Sequence, residues 1–376
     1  MNLVQLYYKK TIKYKYQNID FKFLVSQNLF SSQKIDNGTN RLLRTLTFQN
    51  VNKFNKVLDL GCGYGPIGII LKKISEKSEI HMVDIDALAL DFCKANADIN
   101  NIKNNIYIYG SIGYDSVKIQ DFDLIVSNIP AKVGKEMLEH IIKDAQFYLS
   151  KNGIIAIVVI SQIAEYIQEL LLSDTNITIL YHKSYPGHEI YHYTFNKFSK
   201  NNKEKNILLE QSNLKVREQD PLLHLLNFKI MKCNSDNIVI FNSFGIEIPL
   251  YLINKFNPKQ IYLINRNLQE LTTLNKEILY NYTENKIHIY HQVDLSIKDL
   301  KVDIIIGLLP EQESLSLYTL FIKEALQMLS KDCHLILISS SNVISKIEEL
   351  ITKESFVKLK RTRNKGQSVI ILKKIQ

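Results

Sequence analysis

The sequence predicts an α/β protein built from two tandem Rossmann-like domains, each a doubly wound, mostly parallel sheet. Three observations carry that expectation. Runs rich in Ile, Val and Leu alternate with helical stretches along the whole chain, the pattern of parallel strands covered on both faces. The same succession of elements occurs twice, once from residue 56 and again from residue 237. The polar, charged stretch SKNNKEKN at 199–206 separates the two copies. A length of 376 residues suits two domains. The expected division is a working domain over 1–200, a linker over 201–206 and a second domain over 207–376.

Each element of the first copy has its counterpart in the second. The opening strands are KVLDL (56–60) and NIVIF (237–241), each followed by a turn and an apolar helix, GPIGIILKKI and IEIPLYLINKF. The second strands are EIHMVD (79–84) and QIYLIN (260–265), each running into a helix, ALALDFCKANADIN and LQELTTLNKEILYNY. The third are NIYIYG and KIHIYH, and the fourth FDLIVSNIP (122–130) and VDIIIGLLP (302–310). Next come helices expected to end in Leu-Ser-Lys, at 149–151 and 329–331, and fifth strands GIIAIVVI and HLILISS. Each copy closes with a helix and a strand pair, ending at EIYHYTF and QSVIILKK. A succession repeated in this order points to duplication.

Composition narrows the functional classes. Hydrophobic residues are 45% and charged residues 23%, as in ordinary globular proteins. Cys62, Cys93, Cys233 and Cys333 lie far apart with no C-x-x-C pair, which argues against a disulfide scaffold or a zinc cluster. His182, His188 and His192 lack ligand spacing, so no metal is expected. The absence of an apolar run of about 18 residues, and a polar N-terminus, point to a cytoplasmic protein with no membrane partner. A net charge of +9 suits a polyanionic partner such as RNA, and equally follows from a Lys-rich composition.

The chemistry concentrates in the first copy. Asp59, Gly61, Gly63 and Gly65 form a D-x-G-x-G-x-G turn between strand and helix. Glycines there permit positive φ and close approach of a ligand to a helix N-terminus. The spacing is not that of the dinucleotide fingerprint, and no Lys-Ser/Thr follows as in a Walker loop. Asp84 ends the second strand, where an acid can accept both hydrogen bonds of a ribose diol; Asp86 reads as a helix cap. Asn128 and Pro130 close the fourth strand, where a side-chain amide can pair with a substrate N–H.

The D-x-G-x-G-x-G turn resembles motif I of class I S-adenosylmethionine (SAM) methyltransferases. Ser127-Asn128-Ile129-Pro130-Ala131 resembles the N-P-P-(F/Y) motif of enzymes that methylate exocyclic or amide nitrogens. Ile129 replaces the first proline, and Ala131 replaces the aromatic that stacks on a flipped base, a role Tyr64 could take over. The preceding segment, Leu29-Phe30-Ser31 then Ile35-Asp36-Asn37-Gly38-Thr39 then Leu42-Leu43, is similar to the start of the small methyltransferase domain family, whose best-known members are ribosomal RNA guanine-N2 methyltransferases. That resemblance covers 20–198. It implies SAM as cofactor, with Phe30, Asp36, Gly38 and Thr39 lining or capping its site, and Asn128 with Pro130 holding the amine that attacks the methyl group. From the residues alone, Asp36 and Thr39 read as helix caps and Phe30 as core. The implied function is methyl transfer to an exocyclic nitrogen of RNA, guanine N2 in ribosomal RNA. The alternatives are a small-molecule or protein side-chain acceptor, or a non-catalytic scaffold.

The second copy has lost these residues. Position for position, Phe241 stands opposite Asp59, Ser243, Gly245 and Glu247 opposite the three glycines, Asn265 opposite Asp84, and Leu308 opposite Asn128; Pro130 persists as Pro310. It is expected to be non-catalytic and to bind no SAM, and it reads either as a substrate-binding domain or as the half that completes a stable pseudo-dimer through an apolar face, which would allow a monomer. In the family the degenerate copy comes first; here the order is reversed. Two basic stretches read either as RNA contacts or as edge strands: KKTIKYKY near the N-terminus, and Lys358, Lys360, Arg361, Arg363 and Lys365 near the end.

Overall fold

The chain divides into two units, Met1–Leu208 and Leu209–Gln376. A computed structural model describes residues 3–47, 53–130, 132–197, 235–242, 245–281, 286–351 and 356–375. The expected linker at 201–206 lies outside the described residues.

The first unit begins with a short helix α1 (Leu3–Tyr7) and a hairpin of β1 (Lys10–Tyr16) and β2 (Ile19–Val25). Gln17 and Asn18 form its two-residue turn at φ 46° and 65°, the positive pair that matches the twist of hairpin strands. KKTIKYKY is therefore one arm of a separate two-stranded sheet. Helix α2 (Asn37–Thr47) follows.

The main sheet then unfolds in the expected alternation: β3 (Lys56–Leu60), α3 (Pro66–Ile74), β4 (Glu79–Asp84), α4 (Ala87–Ile99), β5 (Ile106–Gly110), β6 (Phe122–Asn128), α5 (Lys135–Lys143), β7 (Leu149–Ile160), α6 (Ser161–Ser173), β8 (Ile177–Tyr185) and β9 (His188–Phe195). The spatial order is β5-β4-β3-β6-β7-β9-β8. Its first five strands are parallel, while β9 and β8 run antiparallel to their neighbours. Asn96 of α4 and Asn100, which caps its C-terminus, fasten the hairpin, each pairing with both the N–H and C=O of one β2 residue, Leu24 and Lys22 respectively, at 2.6–3.1 Å.

The second unit repeats the plan: β10 (Asn237–Phe241), α7 (Glu247–Phe256), β11 (Gln260–Asn265), α8 (Leu268–Asn281), β12 (Lys286–His291), β13 (Val302–Leu308), α9 (Leu315–Met328), β14 (Leu329–Ser340), α10 (Ser341–Ile351), β15 (Phe356–Asn364) and β16 (Gln367–Lys374). The order β12-β11-β10-β13-β14-β16-β15 matches the first sheet strand for strand. Alternate residues of β10 enter opposite cores: Val239 and Phe241 on one face, Ile238 and Ile240 on the other. The strand therefore reads as a continuous apolar run because both its faces are covered.

Leu-Ser-Lys belongs to the strand rather than to the preceding helix in both copies. Phe122 pairs with Leu149 but Leu124 with Ile154, and Val302 pairs with Leu329 but Ile304 with His334. A bulge at the same place draws these residues into β7 and β14. In the first copy it forces Gly153 against the chain, since a Cβ there would lie 2.5 Å from the Phe122 carbonyl oxygen.

Strand order reverses between β3 and β6. In open α/β sheets that switch point opens a crevice at the carboxyl ends of the strands, and here Leu60 and Asn128 end the two strands that flank it.

Candidate active site

The loop after β3 is shaped by its neighbour strand. The amides of Gly61 and Cys62 both donate to the Val83 carbonyl at 2.9 Å, which turns the chain sharply over β4. Gly61, Gly63 and Gly65 hold φ of 74°, 56° and 92°, values that carry strain for a residue with a Cβ. Their spatial roles differ. A Cβ on Gly61 or Gly63 would meet nothing within 4 Å, so open space lies over both. A Cβ on Gly65 would stand 2.8 Å from Cys93 Sγ and from Ile69. Gly65 thus serves packing, whereas Gly61 and Gly63 leave a cradle. Pro66 opens α3 immediately afterwards, where its missing N–H costs nothing.

Two carboxylates flank the cradle. Asp84 accepts from the Gly63 amide at 2.8 Å through Oδ2 and from the Asp86 amide at 3.0 Å through Oδ1. Burial raises its pKa against the pull of these amides. Asp86 caps α4, accepting from Leu88 N at 3.0 Å. Asp59 is fully buried and accepts from Gly68 N at 2.8 Å through Oδ2, while its Oδ1 has no partner among the described residues. Burial, reinforced by the charge of Asp84, pushes its pKa to about 7. A buried acceptor without a donor is costly. It fits a ligand that brings a donor the protein does not supply.

The third component lies across the switch point. Asn128 donates through Nδ2 to Asp36 Oδ2 and to Thr39 Oγ1, both at 2.9 Å. Asp36 Oδ2 also accepts from Thr39 N at 3.1 Å, so Asp36 caps α2 and orients Asn128 together. The Asp36 oxygen accepts, which fixes the amide's NH2 toward it and leaves Asn128 Oδ1 as an acceptor with no partner among the described residues. Helix α2 is itself anchored: Tyr16 donates to Leu43 O at 2.7 Å, Tyr14 donates to Asn40 Oδ1 at 2.9 Å, and Thr45 pairs with His192 Nε2 at 2.8 Å. Ser127 Oγ donates to Leu60 O at 2.7 Å, tying the ends of β6 and β3.

The structure brings together Asp59, the glycines, Asp84, Asp36, Thr39 and Asn128. The others fall elsewhere or differ in role. Gly38 is needed for close approach, because a Cβ there would lie 2.8 Å from Asp36 Oδ2 and 2.9 Å from His188. Phe30 is 73% exposed, so its reading as core is corrected. Pro130 is exposed beyond the strand end. Ile129 is buried, and its amide donates to Val158 O at 3.0 Å, a bond that a proline there could not make. Ala131 lies outside the described residues. Tyr64 cannot stand in for the missing aromatic: it is buried edge-on against Phe23, and burial drives its phenol pKa far up.

His182, His188 and His192 pair separately with Glu189, Arg41 and Thr45. Among the described residues no group of His, Cys, Asp and Glu is placed to hold a metal, and no helix is long and apolar enough to cross a membrane. The sequence reading missed Arg41 and Tyr185 and weighed His188 only as a metal ligand; the three meet at the α2 end of the site. No motif signals them, because Arg41 and His188 lie 147 residues apart in the chain.

The second unit lacks each component, with one correction to the alignment. Lys56–Leu60 and Asn237–Phe241 occupy the same places in their sheets, and Asn242 N donates to Ile264 O as Gly61 N does to Val83 O. The counterpart of Asp59 is therefore Ile240, not Phe241, and Gly61 and Gly65 correspond to Asn242 and Ile246, while Ser243 lies outside the described residues. Neither position keeps its glycine. Asn265 replaces Asp84 and spends its side chain on Glu270 and the Asn267 amide. Leu308, at the place of Asn128, is buried. Pro310 accepts from Tyr318 Oη through its carbonyl.

Comparison with known proteins gives this geometry a family. Residues 20–180 match the model of the methyltransferase small domain. The uncharacterised protein YbxB of Bacillus subtilis is 32% identical over 152 residues, 40% of this chain and 74% of that protein. Ribosomal RNA small subunit methyltransferase C of Buchnera aphidicola is 34% identical over 161 residues, 42% of this chain and 48% of that protein. Its Haemophilus influenzae namesake is 36% identical over 135 residues, 35% of this chain and 39% of that protein. The match thus spans less than half the length of these two methyltransferase C relatives. Among solved structures, a T. thermophilus 16S rRNA N2 methyltransferase in complex with AdoMet and guanosine aligns over 99% of both chains with a TM-score of 0.64 at 15% identity, a likeness of fold.

Proposed function

This chain belongs to the methyltransferase small domain family, and from that premise we propose that its first unit transfers a methyl group from SAM to N2 of a guanine in small-subunit ribosomal RNA. The observation that carries this reading is the orientation of Asn128: its NH2 is held by Asp36 and Thr39, and its oxygen is left to accept. A carboxamide oxygen at the end of β6, across the switch point from the glycine cradle, suits an exocyclic amine. The names of the methyltransferase C relatives and the net charge of +9 support RNA as the acceptor.

SAM, when bound, supplies an electrophilic methyl group. The chain's own residues bind and orient. Gly61 and Gly63 let a ligand lie against the backbone, Asp84 accepts from ribose hydroxyls, and the buried Asp59 oxygen accepts a further donor. Asn128 Oδ1 accepts one amine hydrogen and so directs the nitrogen lone pair away from itself. Positioning of this kind leaves the nitrogen as the nucleophile without a strong general base. The second unit is proposed to be non-catalytic and to complete the protein as a scaffold.

The test is incubation with methyl-labelled SAM and small-subunit ribosomal RNA transcribed in vitro, followed by digestion to nucleosides. Label in N2-methylguanosine is the expected result. Label confined to small molecules or protein, with RNA inert, would overturn the RNA assignment.

A further inference from the structure

We infer that Arg41, Lys183 and Tyr185 form a clamp for an RNA phosphate beside the methyl-accepting nucleotide, an inference that rests on the RNA reading above. Tyr185 ends β8, the edge strand of the first sheet. Lys183, two residues earlier, shares its face of the strand. The Lys183 ammonium lies 5.2 Å from the centre of the Tyr185 ring, and the Arg41 guanidinium, arriving from α2, lies 4.9 Å from the same centre. Two cations thus share one aromatic ring.

Neither cation has a carboxylate within ion-pair distance among the described residues. Arg41 uses Nη1 alone, donating to Pro186 O at 2.8 Å and to His188 Nδ1 at 3.1 Å; the rest of its donor fork has no acceptor among the described residues. Glu189, on the adjacent strand, is taken by His182 at 2.8 Å and Ser184 at 2.7 Å. Cation–π attraction holds the cations at the ring, but their mutual repulsion is left uncompensated. An anion with several acceptor oxygens would relieve it, and the planar fork of Arg suits phosphate.

The cluster's position ties it to the acceptor. His188, bonded to Arg41, lies against Gly38, and a Cβ on Gly38 would be within 3 Å of both His188 and Asp36 Oδ2. That carboxylate holds Asn128. One run of contacts therefore links the two cations to the amide proposed to receive the amine.

The second copy serves as an internal control. Tyr185 pairs with His188 at the β8–β9 turn, and Asn364 pairs with Gln367 at the β15–β16 turn. Asn364 and Thr362 therefore occupy the places of Tyr185 and Lys183. Lys358 and Arg361 on that strand are both bound by Glu348. Charge that keeps an edge strand from pairing with other chains occurs in both copies. The Arg–Tyr–Lys arrangement, with no counter-ion, occurs in the first alone among the described residues.

The experiment compares wild type with Lys183→Gln and with the double variant Arg41→Gln, Lys183→Gln. Binding of in vitro transcribed small-subunit ribosomal RNA is measured across salt concentrations, KM for that RNA is measured in the methyl-transfer assay, and SAM affinity is measured by calorimetry. Loss of each phosphate contact should flatten the slope of log affinity against log salt by about 0.7 to 0.9 and raise KM for RNA, with SAM affinity unchanged. Lys183→Gln alters an exposed side chain that makes no hydrogen bond among the described residues, so it carries the test even if the double variant fails to fold. Salt slopes and KM equal to wild type would overturn the clamp while leaving the RNA reading intact. A wild-type protein that binds SAM yet neither binds nor methylates RNA would overturn both.

Discussion

The two units share a seven-stranded sheet with the same strand order and the same bulge between the fourth and fifth strands, yet they differ where those strands end. In the first, β3, β4 and β6 lead to Gly61, Asp84 and Asn128; in the second, β10, β11 and β13 lead to Asn242, Asn265 and Leu308. A scaffold held by apolar strands survives as long as its alternation of burial survives. A site survives only while a few polar groups and backbone conformations are kept at the rim. The second unit even re-uses the rim, with Asn265 holding the start of α8 through Glu270 and Asn267. The comparison therefore separates what the fold needs from what the chemistry needs.

The most severe way to break that comparison is at Asn128. Asn128→Ala should lower kcat for RNA methylation by roughly 10²–10³-fold, the usual loss for one preorganised hydrogen-bonding group, with SAM affinity retained. Leu308→Asn should leave activity unchanged. A smaller effect is expected at the group that orients Asn128. Asp36→Ala removes a charge-assisted bond of about 1.5–3 kcal/mol, so kcat should fall about 10- to 100-fold while KM for SAM changes little. An equal rise in KM for SAM would instead make Asp36 a cofactor ligand.

The glycines sharpen the contrast within one loop. Gly65→Ala would drive a Cβ into Cys93 and Ile69 and should lower the thermal midpoint. Gly63→Ala would place its Cβ in open space at positive φ and should weaken SAM binding more than it affects folding beyond the backbone strain. Thermal melts and calorimetry on both variants separate the two roles.

The smallest effect is on pH dependence. The folded pKa of Asp59 is raised from 3.8 to about 7, so between those values the folded state holds a proton that the unfolded chain has released. Stability therefore falls as pH rises through that window. Ile240, at the same place in the second unit, cannot titrate. Asp59→Asn should flatten the stability profile between pH 4 and 7 relative to wild type, as read by denaturant melts without ligand. Identical profiles would place the buried charge elsewhere.

Most of the fold was legible because strand runs and their repetition depend on local pattern. The glycine turn, Asp84 and Asn128 were legible because each sits at a strand end that the pattern already located. Three features were not. The loop alignment slipped by one residue, since Phe241 and Ile240 are both apolar and only strand pairing fixes which stands at the place of Asp59. Tyr64 looked available for stacking because burial against Phe23 depends on the hairpin's docking onto α4. The meeting of Arg41 with Tyr185 and His188 joins chain segments more than a hundred residues apart, and no local pattern encodes it.

The central claim is one working site in a chain of two similar sheets. Calorimetric titration of SAM into wild type, Asp84→Ala and Asn265→Ala tests it most directly. The account predicts one SAM per chain, binding weakened at least tenfold by Asp84→Ala, in keeping with loss of hydrogen bonds to a charged group, and unchanged by Asn265→Ala. Two sites per chain, or one site indifferent to Asp84→Ala, would contradict it.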